Sequence, residues 1–123
     1  MNAFLVFLGG GIGAVGRYWI GGIVHRFAGA GFPYGTMAAN VGGCLVIGFL
    51  MSFFEERFLV SPALRVFLTI GVLGGFTTFS SFSYETIALL RDGGIASAFI
   101  NIAVTLISCL TATWVGWVVG RQF

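Results

Sequence analysis

The chain contains no lysine, and no acidic residue occurs before Glu55. Charge as a whole is scarce: six arginines, three glutamates and one aspartate amount to 8% of 123 residues. Soluble domains carry roughly 25% charged residues, so a surface facing water on all sides is excluded. The net charge of +2 gives no reason to invoke nucleic acid. The two cysteines, Cys44 and Cys109, are too few for a disulfide framework or a metal site, and both sit in apolar runs as small buried side chains do. His25 is the only histidine and has no evident set of catalytic partners, so an enzyme is not expected. No lysine or arginine precedes the first apolar run, which is longer than a signal core, so a cleavable signal peptide is not expected either.

Apolar sequence fills the space: 58% of residues are hydrophobic and the mean hydropathy is +1.02. Crossing the hydrocarbon core takes about 20 apolar residues per helix. Four such runs fit, at about 4–25, 33–54, 62–91 and 95–120, within a single transmembrane domain covering 1–123. The breaks hold His25-Arg26, Glu55-Glu56-Arg57 and Arg91-Asp92-Gly93-Gly94. The runs are continuously apolar and lack the alternation of lipid-facing strands, which selects an all-α membrane protein over a barrel.

Four spans place both termini on one side, together with Arg57, Arg65 and Arg121; Arg26 and Arg91 lie opposite, with Arg17 nearer them. So even a split decides no orientation by the positive-inside rule. Either another feature sets the topology, or copies insert both ways and pair as an antiparallel dimer. Four helices are also few walls for a polar pathway, and a two-fold dimer would supply more. Twenty glycines, among them Gly9, Gly13, Gly16 and Gly21 in the first helix and Gly42, Gly43 and Gly48 in the second, favour close helix contacts.

Gly11-Ile12-Gly13-Ala14-Val15-Gly16 matches a dinucleotide-binding pattern, but no acid follows about 20 residues later and no βαβ unit is present, so helix packing accounts for it. Arg17 follows directly, about 20 Å along the first helix by standard rise. An intramembrane arginine is a functional candidate, here in an anion-attracting vestibule; snorkelling to headgroups is the alternative.

The third span is the most informative. Ser61-Pro62 reads as an N-cap followed by proline at the first helical position. A straight helix from there to Leu90 would run about 43 Å, too long for a core of about 30 Å without strong tilt. A mid-membrane break at Gly74-Gly75 and Thr77-Thr78 solves this, and non-helical backbone at such depth must be buried in protein or line a wet cavity. Freed carbonyls can hold a small cation and half-helix N-termini can face an anion. Thr77, Thr78, Ser80, Ser81 and Ser83 interleave with Phe76, Phe79 and Phe82, which recur every three residues and so are expected near one helix face; such a stripe is usually packing, the role expected of Phe76. A phenylalanine ring has a positive edge, against which a partly dehydrated anion can lie. In the second span Asn40 is a further donor, or else helix glue. The fourth carries Asn101, Thr105, Ser108 and Thr111 at spacings of three and four, as a packing face or a pore track. Glu85 is expected to make a structural contact.

These residues resemble the Fluc (CrcB) fluoride exporters along essentially the whole chain. The similarity is carried by Gly16-Arg17-Tyr18, by Gly35-Thr36-Met37-Ala38-Ala39-Asn40, and by the run from Gly74 to Glu85. The resemblance implies a fluoride-selective channel working by passive electrodiffusion from a prokaryotic inner or plasma membrane. It implies an antiparallel, dual-topology homodimer with helix 3 broken mid-membrane. Phe79 and Phe82 would meet fluoride by their ring edges and Asn40 by its amide, with Ser81, Thr105 and Ser108 as further pore residues and Arg17 at the vestibule. A structural Na+ would sit on the dimer axis, held by the backbone carbonyls of Gly74 and Thr77. Two other classes compete. A small multidrug-type transporter needs a membrane-embedded acid in the first helix, which is absent here. An accessory membrane subunit would leave the hydroxyl-rich third span unexplained.

Overall fold

In the computed structural model, which describes residues 1–57 and 60–123, every regular element is helical. The order is α1 (Asn2–Ala28), α2 (Tyr34–Glu55), α3 (Pro62–Val66), a π-helical stretch (Phe67–Leu73), α4 (Gly74–Phe76), α5 (Phe79–Arg91) and α6 (Ile95–Gly120). Four spans are long and apolar enough to cross a membrane: α1, α2, the composite run Pro62–Arg91, and α6. The chain is a multi-pass membrane protein.

Its core is inverted relative to a soluble bundle. The largest fully buried side chains are Asn101 and Ser52, both polar, whereas Phe7, Trp19, Phe27, Ile107 and Leu110 are exposed. Lipid solvates apolar groups as well as a protein interior does, so burial favours small residues and polar groups that must find partners. Of the large apolar side chains only a few among the described residues, such as Phe54, Leu73 and Phe82, are buried. Ser52 meets this by donating to the Trp117 carbonyl at 2.8 Å.

Close backbone approach sets the packing. α1 lies on the π stretch and α4 so tightly that a methyl on Gly9 would strike the Phe67 and Gly71 backbone, one on Gly13 the Val72 carbonyl, and one on Gly75 the Gly10 carbonyl. The most extensive pairing is α2 with α6. There Gly48 faces Thr113, Gly116 faces the Leu45 carbonyl, and Gly120 faces Ser52 and Phe49. The glycine-rich run from Gly11 to Gly16 is thus the middle of a continuous helix, and its Gly13 serves packing.

Capping fixes the ends. Ser61 caps α3 through a bond from the Leu64 amide to its Oγ at 3.1 Å, with Pro62 at the first helical position. Arg65 Nη2 donates to the Phe54 carbonyl at 2.6 Å and the Arg57 carbonyl at 3.2 Å, satisfying acceptors at the α2 terminus where a cation is favoured. At the same end Arg121 approaches Glu56 at 3.9 Å.

Candidate functional site: the interruption between α4 and α5

The helical run entered at Pro62 stops at Phe76. Thr77 (φ −89°, ψ 157°) and Thr78 (φ −153°, ψ 119°) are extended, and helix resumes at Phe79. Three side-chain bonds hold this shape. Asn40 Nδ2 donates to the Thr78 carbonyl at 2.9 Å while the Thr78 amide donates to Asn40 Oδ1 at 2.7 Å. Thr78 Oγ1 caps α5 by accepting from the Ser81 amide at 3.1 Å. Gly43 leaves room for the Thr77 methyl, which a side chain there would strike.

Diverting those amides releases carbonyls. In a continuous helix the Gly74 carbonyl would accept from the Thr78 amide and the Thr77 carbonyl from the Ser81 amide. Both donors are turned to Asn40 and to the Thr78 hydroxyl. The Gly75 carbonyl, freed likewise, accepts from Arg17 Nε at 3.3 Å. Arg17 therefore points inward onto the α4 terminus instead of outward to headgroups.

One small cavity of about 230 Å³ opens at the interruption, lined by Asn40, Cys44, Thr77, Thr78, Phe79, Phe82, Thr105, Leu106 and Cys109. Phe79 and Phe82 meet at a centroid distance of 5.5 Å, tilted by 54°. Phe82 is 8% exposed and Phe79 74%, so the pair joins the interior to an open flank of the chain. The three phenylalanines do not share a face. The extended Thr77-Thr78 resets the helical phase, leaving Phe76 with its ring beside Gly16 and Gly43 on the α1–α2 side.

The donors around the cavity are largely committed. Thr77 Oγ1 donates to the Leu73 carbonyl at 3.0 Å, and Thr105 Oγ1 donates to Asn101 Oδ1 at 3.2 Å. Asn101 Nδ2 then donates to Thr86 Oγ1 at 2.9 Å, which donates to the Phe82 carbonyl at 2.7 Å. An amide nitrogen carries two hydrogens, so Asn40 keeps one beyond its bond to Thr78.

The remaining sequence candidates divide. Ser81 and Arg17 line a larger cavity of about 820 Å³ with Tyr18, His25, Arg26, Thr36 and Glu85. Thr78, which lines the smaller cavity, donates through Oγ1 to Ser81 Oγ of the larger one at 3.2 Å. Glu85 Oε1 accepts from Thr36 Oγ1 at 2.7 Å, the structural contact its position suggested, while Oε2 is buried and meets no partner among the described residues. Ser108 is half-buried, a turn along α6 from Thr105 and outside the lining of the smaller cavity; Thr111 is exposed. Sequence reasoning passed over Thr86, Cys44 and Cys109 as lining or relay residues. The signal was a four-residue spacing, since they follow Phe82, Asn40 and Thr105 by one helical turn.

Comparison with known proteins matches residues 4–117 to the family described as CrcB-like protein, Camphor Resistance (CrcB). A protein of Geobacter sulfurreducens named fluoride-specific ion channel FluC is 49% identical over 113 residues, 92% of this chain and 91% of that one. One of the same name from Geotalea daltonii is 47% identical over 119 residues, 95% of this chain and 96% of its own. A third, from Geobacter sp. strain M21, is 46% identical over 112 residues, covering 91% and 90%.

Proposed function

Given that the chain belongs to the CrcB-like family, we propose that it is a fluoride-selective ion channel, exporting fluoride by passive electrodiffusion and so protecting the cell from fluoride toxicity. One observation carries the assignment. The interruption at Thr77-Thr78 gathers Asn40, Phe79, Phe82 and Thr105 about a single small cavity within an apolar four-span chain.

Fluoride accepts hydrogen bonds strongly and is strongly hydrated, so a pathway must replace part of its water without trapping it. The larger cavity, with Arg17 and Arg26 against the one acid Glu85, is the vestibule, where the excess of positive charge raises the local anion concentration. From there the ion passes the Ser81 and Thr78 hydroxyls to the Phe79–Phe82 pair. With the Thr77 and Thr105 hydroxyl hydrogens bonded within the protein, the second Asn40 N–H and the positive ring edges are the contacts left for an anion. None carries a full charge, which lets the ion leave again. Ser108 continues the track one turn along α6. A negative-inside potential drives the anion outward with about 2.3 kcal/mol per 100 mV.

The exposed flank around the interruption supports a partner. Gly74, Phe79, Ser80 and Tyr84 are all exposed in the single chain. In an antiparallel, dual-topology homodimer this flank is covered by the second copy, and the near-equal arginine count at the two ends suits insertion both ways. The Gly74 and Thr77 carbonyls fit a structural sodium ion, since they are hard oxygen donors released from helical bonding. Held by both copies, sodium would supply the positive charge that ties their carbonyls together.

The test is fluoride efflux from liposomes holding the purified protein, with valinomycin carrying potassium as countercharge and chloride as comparison ion. Rapid fluoride loss with chloride retained is expected. A folded protein that passes no fluoride, or passes both ions alike, sinks the proposal.

A further inference from the structure

The contact line between α2 and α6 has a regular register. Gly48 lies against Thr113, and Ser52 bonds the Trp117 carbonyl four residues further along both helices. Four residues earlier on each helix stand Cys44 and Cys109, and one turn earlier again Asn40 and Thr105. Both cysteines are free and half-buried, and both line the cavity that holds the Phe79–Phe82 pair. The shared register sets the two residues opposite one another across the parallel helices, at the wall of that one cavity. Fluoride conduction has no use for them, since thiols are weak donors.

We propose that Cys44 and Cys109 together form a binding site for a soft, linearly coordinating divalent cation of the mercuric type, set in the wall of the Phe79–Phe82 cavity. Thiolate sulfur selects soft ions. A tetrahedral zinc site would need about four ligands, and among the described residues no group of three or more His, Cys, Asp or Glu side chains converges. Two ligands on parallel, closely packed helices suit an ion content with two. Charge balance points the same way. Each thiol releases its proton to water as its sulfur binds, so two thiolates and one dication form a neutral unit and no electron is transferred. A monovalent ion on the same pair would leave a net negative charge in a low-dielectric wall, which is costly. Occupancy obstructs the cavity, and this consequence for flux rests on the channel assignment above.

The full-length protein in detergent is titrated with mercuric chloride, following free thiols and the mass of the intact chain. One mercury per chain with loss of both thiols is expected, and Cys44→Ser or Cys109→Ser should weaken binding about a hundredfold or more, because the second ligand acts at high effective concentration. Two mercury ions per chain, or single variants that bind as tightly as the parent, overturn the site. In liposomes, with each protein scaled to its own untreated rate, mercury should abolish fluoride flux through the parent and spare the doubly substituted chain. Parent flux that survives stoichiometric mercury overturns the placement in the ion's route. Absence of fluoride flux before any mercury is added instead removes the channel assignment, while mass and thiol counts still decide the site.

Discussion

The two parts of the third span are fixed by different physics. The part before Thr77, comprising α3, the π stretch and α4, lies on α1 through glycine, with Gly9, Gly13, Gly71 and Gly75 bringing backbone against backbone. Side-chain hydrogen bonds are secondary there, those that cross between spans among the described residues being Arg17 to the Gly75 carbonyl and Arg65 to the Phe54 carbonyl. The part after Thr78, α5, is held by polar side chains: Asn40 at its start, Thr36 on Glu85, and Asn101 on Thr86. Shape complementarity of the first kind has no tolerance for volume and makes a rigid base. Hydrogen bonds of the second kind can be exchanged for bonds to a passing ion. The cavity lies at the join, lined by Thr77, Thr78 and the start of α5 on one side and by α2 and α6 on the other.

The contrast breaks most severely at Gly13. Its added methyl would fall on the Val72 carbonyl, a backbone atom that cannot turn aside. Gly13→Val should cost more than about 3 kcal/mol and prevent recovery of monodisperse protein. Gly11→Ala, where an added methyl meets nothing in the chain, should leave thermal stability unchanged or raise it by about 1 kcal/mol. Equal tolerance at both positions would dissolve the distinction between a shape-fixed and a bond-fixed part.

Asn40 tests the join itself. Asn40→Ala orphans the Thr78 amide and carbonyl together, at about 1–3 kcal/mol for each buried group. Asn40→Asp keeps an acceptor for the amide, loses the donor to the carbonyl and adds negative charge beside the cavity. Fluoride efflux should therefore fall to background in Asn40→Asp even where unfolding shows a smaller loss than in Asn40→Ala. Wild-type flux in either variant would remove Asn40 from the pathway.

The phenylalanines separate function from stability. Phe79→Ile alters a side chain that is 74% exposed in the single chain and should leave its folding intact. Phe82→Ile shrinks a buried ring and should cost about 1–2 kcal/mol. Both should cut fluoride efflux by more than about tenfold, as expected if ring edges supply differential stabilisation of about 1.4 kcal/mol or more. Loss of flux in Phe82→Ile with normal flux in Phe79→Ile would mean that packing, and not ring-edge contact, is what the site needs.

Much of this was legible in the sequence, and the exceptions have a common cause. Four apolar runs separated by His25-Arg26, Glu55-Glu56-Arg57 and Arg91-Asp92 mark four spans, because lipid confines most charge to the ends. Ser61-Pro62 marked a helix start because capping is a local bond. Glycine and hydroxyl density marked where the third span stops being regular. Periodicity misled at Phe76, since a three-residue spacing has meaning only while the helix continues, and two extended threonines end it. The π stretch at Phe67–Leu73 left no sequence signature beyond Gly71, whose role depends on Gly9 of another span. Arg17 left two directions open for the same reason: its acceptor, the Gly75 carbonyl, lies 58 residues away and is free only because the helix breaks.

The smallest effect concerns α6, where Thr105 and Ser108 look equivalent by residue type and spacing. Their surroundings differ: Thr105 is buried, lines the cavity and starts the relay through Asn101 and Thr86, while Ser108 is half-buried beyond that lining. Thr105→Val keeps the volume and removes the hydroxyl, so Asn101 Oδ1 loses a donor worth about 0.6 kcal/mol by the average for hydrogen bonds between membrane helices. The Asn101 amide, no longer fixed from one side, can rotate and loosen Thr86 and the Phe82 carbonyl in turn. Initial fluoride efflux should drop about two- to fivefold in Thr105→Val, in proportion to a perturbation of that size. Ser108→Ala removes a hydroxyl one turn further on and should change the rate by less than about twofold. A larger effect at Ser108 than at Thr105 would move the ion's route along α6, away from the relay and onto the outer turn of the polar stripe.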